Sequence, residues 1–330
     1  MKCINKWKLS IPVIIVVCML LGGCGEERTE LKDAYKVFET SDSYRLTDSV
    51  MTEPVTLFAE DLCVGGTTNT RAKAVESELA ESAAVFTVDN KEITYAKNIY
   101  EKRYPASTTK ILTAYLAIKY GNMDDIVTVS DEAINSLMWG SSVCGIKPGD
   151  KISMENLMYG LMLCSGNDAA NVIAEHISGS TEKFAELMNE EVAALGATQS
   201  HFVNAHGLPD EEHYTTAYDL YLIFNAAIKD ENFVRYISAK EQKVSYEDAA
   251  GNPVEQTWKN TNGYLTEDYK TPKNITVIGG KTGTTNDAGS CLILLSNNKE
   301  KQPVISIVLK SDSRDHLYTI MSEMLTNFSN

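Results

Sequence analysis

Pro105-Ala106-Ser107-Thr108-Thr109-Lys110-Ile111-Leu112-Thr113-Ala114-Tyr115-Leu116-Ala117-Ile118 is the stretch from which the rest of the chain can be placed. Its second half is apolar nearly all round, the pattern of a helix buried on every side, and it predicts a central helix over 108–120. Pro105 stands just before it, where a fixed φ helps set the start. Ser107 and Lys110 are three apart, so on a helix they share a face with Cβ atoms about 5–6 Å from each other. A helix start offers unpartnered N–H groups and the positive end of the dipole, so a nucleophile there lies near donors for an oxyanion. Burial and a second nearby cation would both lower the pKa of Lys110, as a general base requires. Taken alone, Ser107 would serve equally well as a helix cap.

Two further motifs follow in order. Ser165-Gly166-Asn167 falls at a helix junction, after the apolar run 157–163 and before Asp168-Ala169-Ala170-Asn171. A Ser165 hydroxyl there can relay a proton, and Asn167 can donate and accept at once; an N-cap with a turn explains the triplet too. Lys281-Thr282-Gly283 ends a strand, after Gly279-Gly280. On an edge strand beside a cleft, Lys281 and Thr282 present a cation and a hydroxyl to a carboxylate. Gly283 and Thr284 let the backbone come close, and the Thr284 N–H is the expected second oxyanion donor. Each motif is weak singly; the three in this order are specific.

Around them the sequence reads as an α/β (α+β) chain. A helical stretch is expected over 71–82, rich in Ala and Glu. Val85-Phe86-Thr87-Val88, Asp89-Asn90 and Ile93-Thr94-Tyr95 spell a β-hairpin. Helical stretches near 153–163, 167–177, 181–195 and 216–229 are punctuated by Gly121, Gly149, Gly179 and Gly196. Runs at 275–278, 291–295 and 304–309 are aliphatic strands, and a helix over 314–327 closes the chain. A two-stranded hairpin is marginal alone. The expectation is therefore one antiparallel sheet built from about 83–97 and 240–330, flanked by helices, with a helical subdomain at about 108–230 inserted between.

The ends and the charge bound the compartment and the partners. Lys2, Lys6 and Lys8 precede an apolar run from Leu9 to Leu21, which is shorter than the roughly 20 residues of a membrane span and fits a signal peptide. Leu21-Gly22-Gly23-Cys24 resembles a bacterial lipobox. Residues 1–23 are then a lipoprotein signal, Cys24 the lipidated N-terminus of a polar tether over 24–54, and 55–330 the catalytic domain, opening on a possible short strand at 55–58. A net charge of −15, near −18 without the signal, excludes nucleic acid as a partner, since phosphate binding needs a basic surface. Cys63, Cys144, Cys164 and Cys291 have no metal spacing; export permits disulfides without saying which pairs form, and Cys164 and Cys291 read as small buried apolar residues. His201, His206 and His213 cluster in sequence, but no cysteine or acidic ligand set accompanies them, so no metal is expected.

The segments Pro105-Ala106-Ser107-Thr108-Thr109-Lys110, Ser165-Gly166-Asn167-Asp168-Ala169-Ala170 and Gly279-Gly280-Lys281-Thr282-Gly283-Thr284 resemble serine-type D-alanyl-D-alanine carboxypeptidases, the low-molecular-mass penicillin-binding proteins of peptidase family S11. Asn204-Ala205-His206-Gly207-Leu208 and His213-Tyr214-Thr215-Thr216-Ala217 are similar to that family as well, over about residues 83–325 in all. The resemblance implies a penicillin-binding protein/β-lactamase-like fold and hydrolysis of the terminal D-Ala-D-Ala bond of peptidoglycan stem peptides. It implies Ser107 as nucleophile, Lys110 as base, Ser165 and Asn167 in proton transfer, and Lys281, Thr282, Gly283 and Thr284 at the substrate's end. β-Lactams would be covalent inhibitors, and no cofactor is implied. The chain departs from the family pattern in having room for neither a β-rich second domain nor a C-terminal amphipathic anchor, so attachment at the extracytoplasmic face of the cell membrane would fall to Cys24. Ala205 stands where the family often has proline. A class A β-lactamase is the nearest alternative, but no E-x-x-L-N motif follows residue 167. A non-catalytic wall-binding or β-lactam-sensing protein has no need of the intact Ser107 and Lys110.

Overall fold

Strands buried on both faces must be apolar almost continuously, and the two longest such runs become the centre of the main sheet. In a computed structural model that describes residues 59–70 and 72–329, β1 (Ala80–Thr87), β2 (Glu92–Lys97), β7 (Thr276–Thr285), β8 (Gly289–Asn297) and β9 (Pro303–Ser311) form an antiparallel sheet in the order β2-β1-β9-β8-β7. Alternate residues divide between two cores. Val85, Leu292, Leu294, Val304 and Val308 pack against the C-terminal helix α8 (Arg314–Phe328). Phe86, Ile293, Leu295, Ile305 and Ile307 pack against the helical region. The sheet is thus the middle of three layers.

The helical region centres on α1 (Lys110–Tyr120), whose Ile111, Leu112, Ala114, Leu116 and Ala117 are all buried, as its unpatterned apolarity requires. Around it lie α2 (Asp131–Asn135), α3 (Met154–Leu163), α4 (Asn167–Ser178), α5 (Thr181–Ala194), α6 (Ala217–Ala227) and α7 (Glu231–Ser238). The helices expected near 153–163, 167–177, 181–195 and 216–229 are therefore present, several with side-chain N-caps: Ser153 on Asn156, Ser180 on Lys183 and Thr216 on Asp219. The hairpin and the closing helix are present too.

Two expectations are corrected. Residues 72–82 are not helical: a single 3-10 turn at Ser77–Leu79 leads straight into β1. Pairing of β1 with β9, from Ala80 opposite Ser311 to Thr87 opposite Val304, overrides the local Ala and Glu propensity. Residues 240–259 do not join the main sheet either. β5 (Glu241–Glu247) and β6 (Pro253–Lys259) pair with each other and with β4 (Lys151–Ser153) and β3 (Ile126–Thr128) in a second sheet, order β3-β4-β5-β6. The reason is in the pattern: β5 buries only Val244 and Tyr246 and exposes the residues between, which suits a one-sided sheet. The signal segment, Cys24, the tether and the possible strand at 55–58 lie outside the described residues. No helix among the described residues is long and apolar enough to cross a membrane.

Candidate active site

The α-helix begins two residues later than expected, at Lys110, and Ser107 sits in the 3-10 turn Ala106–Thr109 that feeds it. Ala106 just before it has φ +48°, a left-handed conformation that costs a non-glycine residue on the order of 1–3 kcal/mol. The turn is held from two sides. Gly283 of β7, the edge strand, lies so close that a Cβ there would stand 2.8 Å from the Ser107 backbone N. Gly207, at φ +92°, lies so close that a Cβ would stand 1.8 Å from the Ala106 carbonyl oxygen. Both positions therefore need glycine, one for space and the other for space and backbone angle together.

Lys110 is completely buried. Its Nζ lies 3.1 Å from Ser107 Oγ, 2.6 Å from Asn167 Oδ1 and 2.7 Å from the His206 carbonyl oxygen. Desolvation, then the charge of Lys281, pushes its pKa well below the ordinary lysine value, with Asp168 opposing. A neutral amine has two N–H donors and one lone pair. In that form Asn167 Oδ1 and the His206 carbonyl would accept the two N–H groups and leave the lone pair towards the Ser107 hydroxyl.

Ser165 is also strained, at φ +58°, and buried. Its Oγ accepts a hydrogen bond from Lys281 Nζ at 3.0 Å; the same Nζ donates to the Thr282 carbonyl at 2.9 Å. Lys281 is only 1% exposed, and burial brings its pKa down to about 7. It therefore faces Ser165 from behind the cleft wall rather than standing free on the cleft surface. Asn167 opens α4, and its N–H donates to the Ser142 carbonyl at 2.8 Å. Asp168 beside it fixes the following part of that loop: its carboxylate accepts from the N–H groups of Cys144 (2.9 Å), Gly145 (2.8 Å) and Ala169 (2.9 Å).

Two cavities meet at Ser107. One, of about 170 Å³, is lined by Ser107, Ser165, Thr261, Thr282, Gly283, Thr284 and Arg314 among others. The other, of about 300 Å³, is lined by Ser107, Met138, Asn167, His206, Leu208, Thr284 and Asp287 among others. Of the expected site residues within the described part, the structure thus gathers Ser107, Lys110, Ser165, Asn167, Lys281, Thr282, Gly283 and Thr284 in one place. It adds residues that the sequence did not single out. Arg314 is the exposed cation of the smaller cavity, its guanidinium donating to the Thr261 carbonyl at 3.1 Å, and Thr261 Oγ1 lies 2.6 Å from Thr282 Oγ1. Arg314 belongs to no motif; its only signal is its place just after the last strand. Asp168 was visible only as the residue after Asn167.

The histidines separate by role. The Val203 N–H donates to His213 Nδ1 at 3.1 Å, so the ring proton is on Nε2, which donates to Thr109 Oγ1 at 2.9 Å. Burial holds His213 neutral, at about 3. His201 Nδ1 instead bonds the Glu212 carbonyl, and His206 Nδ1 accepts from the Leu208 N–H. The four cysteines within the described residues are free thiols. Cys291 is buried as expected, but Cys164 is partly exposed and lines the smaller cavity, because its position just before the Ser165 turn puts it at the wall.

The D-alanyl-D-alanine carboxypeptidase family, peptidase S11, matches residues 68–313. The chain is 32% identical over 252 residues to a D-alanyl-D-alanine carboxypeptidase of Bacillus subtilis, DacF, covering 74% of this chain and 61% of that one. It is 35% identical over 231 residues to DacD, the enzyme of the same description from Escherichia coli, covering 67% and 56%. It therefore spans less than two thirds of the length of these curated relatives. Among solved structures, a variant of the Streptomyces K15 DD-transpeptidase superposes with a TM-score of 0.70 at 30% identity, over 76% of this chain and 97% of that one.

Proposed function

The chain belongs to the D-alanyl-D-alanine carboxypeptidase family, and on that premise we propose that it removes the terminal D-alanine from peptidoglycan stem peptides through an acyl-enzyme on Ser107. The observation that carries this reading is the placement of Lys110: its buried Nζ lies 3.1 Å from Ser107 Oγ and is held from two other sides by Asn167 Oδ1 and the His206 carbonyl, so that in its neutral form it can take the hydroxyl proton. Lys110 takes the hydroxyl proton as Ser107 attacks the penultimate D-Ala carbonyl. The backbone N–H groups of Ser107 and Thr284 hold the oxyanion. The bond to the terminal residue breaks as the proton that Lys110 took is passed on, through the Ser165 hydroxyl, to the departing amine, which leaves Lys110 neutral again. Water then attacks the ester, giving a proton to Lys110, which hands it to Ser107 Oγ as the acyl–oxygen bond breaks, so Ser107 and the neutral amine are both restored. Asn167 keeps Lys110 oriented, and Lys281 keeps Ser165 oriented while its charge lowers the pKa of Lys110. The terminal carboxylate sits in the smaller cavity against Thr282, with Arg314 as its counter-charge. A β-lactam enters by the same acylation and, with no E-x-x-L-N motif after residue 167, leaves slowly.

The proposal extends to location. Leu21-Gly22-Gly23-Cys24 at the end of a short apolar run supports lipidation of Cys24, with residues 24–54 as a tether and 55–330 as the peptidase domain. More than one acyl chain on Cys24 gives stable attachment, at the extracytoplasmic face where the wall substrate lies.

Product analysis tests the reaction. A pentapeptide ending in D-Ala-D-Ala should release free D-alanine with the native chain and none with Ser107→Ala. Intact-mass spectrometry should find one β-lactam adduct on the Ser107 peptide. Fast penicillin hydrolysis without D-alanine release would move the chain to the β-lactamases.

A further inference from the structure

Asp168 is 1% exposed, and its carboxylate is met by donors rather than by a cation. The Cys144 N–H and thiol and the Ala169 N–H bond to Oδ1, at 2.9, 3.3 and 2.9 Å, and the Gly145 N–H bonds to Oδ2 at 2.8 Å. Such a set suits an acceptor-only carboxylate, and a buried charge without an ion partner needs it. Gly166 makes room: a Cβ there would stand 2.6 Å from Asp168 Oδ1. Cys144 and Gly145 close the loop at 136–145, whose Ser142 lines both cavities at Ser107. The Ser142 carbonyl accepts from the Asn167 N–H at 2.8 Å, and Asn167 Oδ1 holds Lys110 Nζ at 2.6 Å. Loop, Asn167 and base are thus one chain of contacts, fastened at Asp168.

The charges around the base are few. Lys110 is faced by Asp168 from α4, by Lys281 from β7, and by His206 and His213 from the loop before α6. Burial keeps both imidazoles neutral, at about 3. Cys144, Cys164 and Tyr246 of β5 also face Asp168, and burial pushes all three up, so they are uncharged at neutral pH. Asp168 is the negative charge of this cluster, and it opposes Lys281 at Lys110. We propose that Asp168 is a positioning residue with two separable effects: its bonds to Cys144 and Gly145 hold the cleft loop against Asn167, and its charge balances the ammonium that Lys110 becomes on taking the Ser107 proton. It touches neither substrate nor the reacting atoms. The proposal rests on the acyl-enzyme reading and adds a residue to it.

The test compares the native chain with Asp168→Asn and Asp168→Glu in the second-order rate of Ser107 labelling by a fluorescent penicillin, from about pH 5 to pH 9. The native rate should climb with pH to a plateau as Lys110 loses its proton. Asp168→Asn removes the charge that favours the ammonium, so the midpoint should move to lower pH. Its plateau should fall by roughly tenfold or more, since a displacement of about 1 Å near a site can cost about a hundredfold. Asp168→Glu keeps the charge but cannot meet the same N–H groups, so its plateau should fall while its midpoint stays near the native one. A native midpoint in Asp168→Asn, or an equal shift in Asp168→Glu, overturns the proposal and leaves the reaction standing. If neither variant folds, hydrogen exchange on the native chain decides. The Cys144 and Gly145 amides should exchange more slowly than those of the exposed Trp139 and Gly140 in the same loop, and equal rates overturn the proposal. A native chain that takes no label overturns the acyl-enzyme reading and the proposal together.

Discussion

Two cations stand near the place where a substrate carboxylate would lie, and the structure distinguishes them. Lys281 is 1% exposed and its Nζ is committed to Ser165 Oγ and the Thr282 carbonyl. Arg314 lines the cavity with a side chain 51% exposed, its guanidinium held by the Thr261 carbonyl at 3.1 Å and paired with the exposed Asp268 at 3.6 Å. The informative perturbation is Arg314→Gln, which keeps a donor and removes the charge. A charge-assisted hydrogen bond contributes about 1.5–3 kcal/mol. The half-exposure of Arg314 argues for the lower end, so the loss should be roughly tenfold in kcat/KM. That loss should fall on a peptide with a free C-terminal carboxylate and spare its C-terminal amide, so the acid-to-amide ratio drops about tenfold. Lys281→Met should behave differently. It takes the bond from Ser165 and a source of charge from Lys110, so both substrates should slow together and the ratio should hold. The assay is chromatographic measurement of released D-alanine or D-alanine amide under kcat/KM conditions. An unchanged ratio in Arg314→Gln together with a collapsed ratio in Lys281→Met would refute the assignment and return the carboxylate to Lys281.

Three further outcomes are expected. Lys281 has its pKa brought to about 7 by burial, against roughly 10.4 in an unfolded chain. Between those values the unfolded chain binds the extra proton, so this group makes the fold more stable as pH rises, by up to about 1.4 kcal/mol per pH unit, with a constant penalty below pH 7. Denaturant unfolding from pH 7 to 9.5 should show the native chain gaining on Lys281→Met, and a pH-independent difference would contradict the burial of a titrating amine. Gly207→Ala should cost more than about 1 kcal/mol and slow labelling by a fluorescent penicillin, because the new Cβ meets the Ala106 carbonyl beside Ser107; native melting temperature and labelling rate together would count against that packing. Cys24→Ala should shift the protein from the membrane to the soluble fraction or leave it unprocessed, and a wild-type protein that is soluble with an N-terminus beyond residue 24 would dismiss the anchor.

The parts of the molecule legible in the sequence are those where one residue pattern has one physical solution. Apolar runs such as 291–295 and 304–309 suit only strands covered on both faces, and the unpatterned apolar 111–118 suits only a helix at the centre. The second sheet was not legible because β5 and β6 alternate, which says that one face is wet but not which partner covers the other. The helix expected over 71–82 failed because Ala and Glu report local preference, whereas the pairing of Ala80 with Ser311 spans most of the chain. At the site, motif spacing pointed to Ser107, Lys110, Ser165, Asn167, Lys281, Thr282, Gly283 and Thr284, which the fold brings to one place. It could not bring out Arg314, which reaches the cavity from the start of α8, nor the His206 carbonyl, since a backbone oxygen leaves no trace in residue identity.

Lys110 Nζ is the meeting point of three segments remote in sequence: the turn carrying Ser107, the start of α4 at Asn167, and the loop at His206. Its removal would take away the proposed base and also untie the knot, leaving Asn167 Oδ1 and the His206 carbonyl without a donor. An inactive Lys110 variant is therefore a poor blank for binding work, because lost affinity for a peptide or an antibiotic could reflect a slackened cleft as easily as absent chemistry. Ser107 holds only one of the three strands of that knot, so Ser107→Ala is the variant in which the empty-handed enzyme should keep its shape.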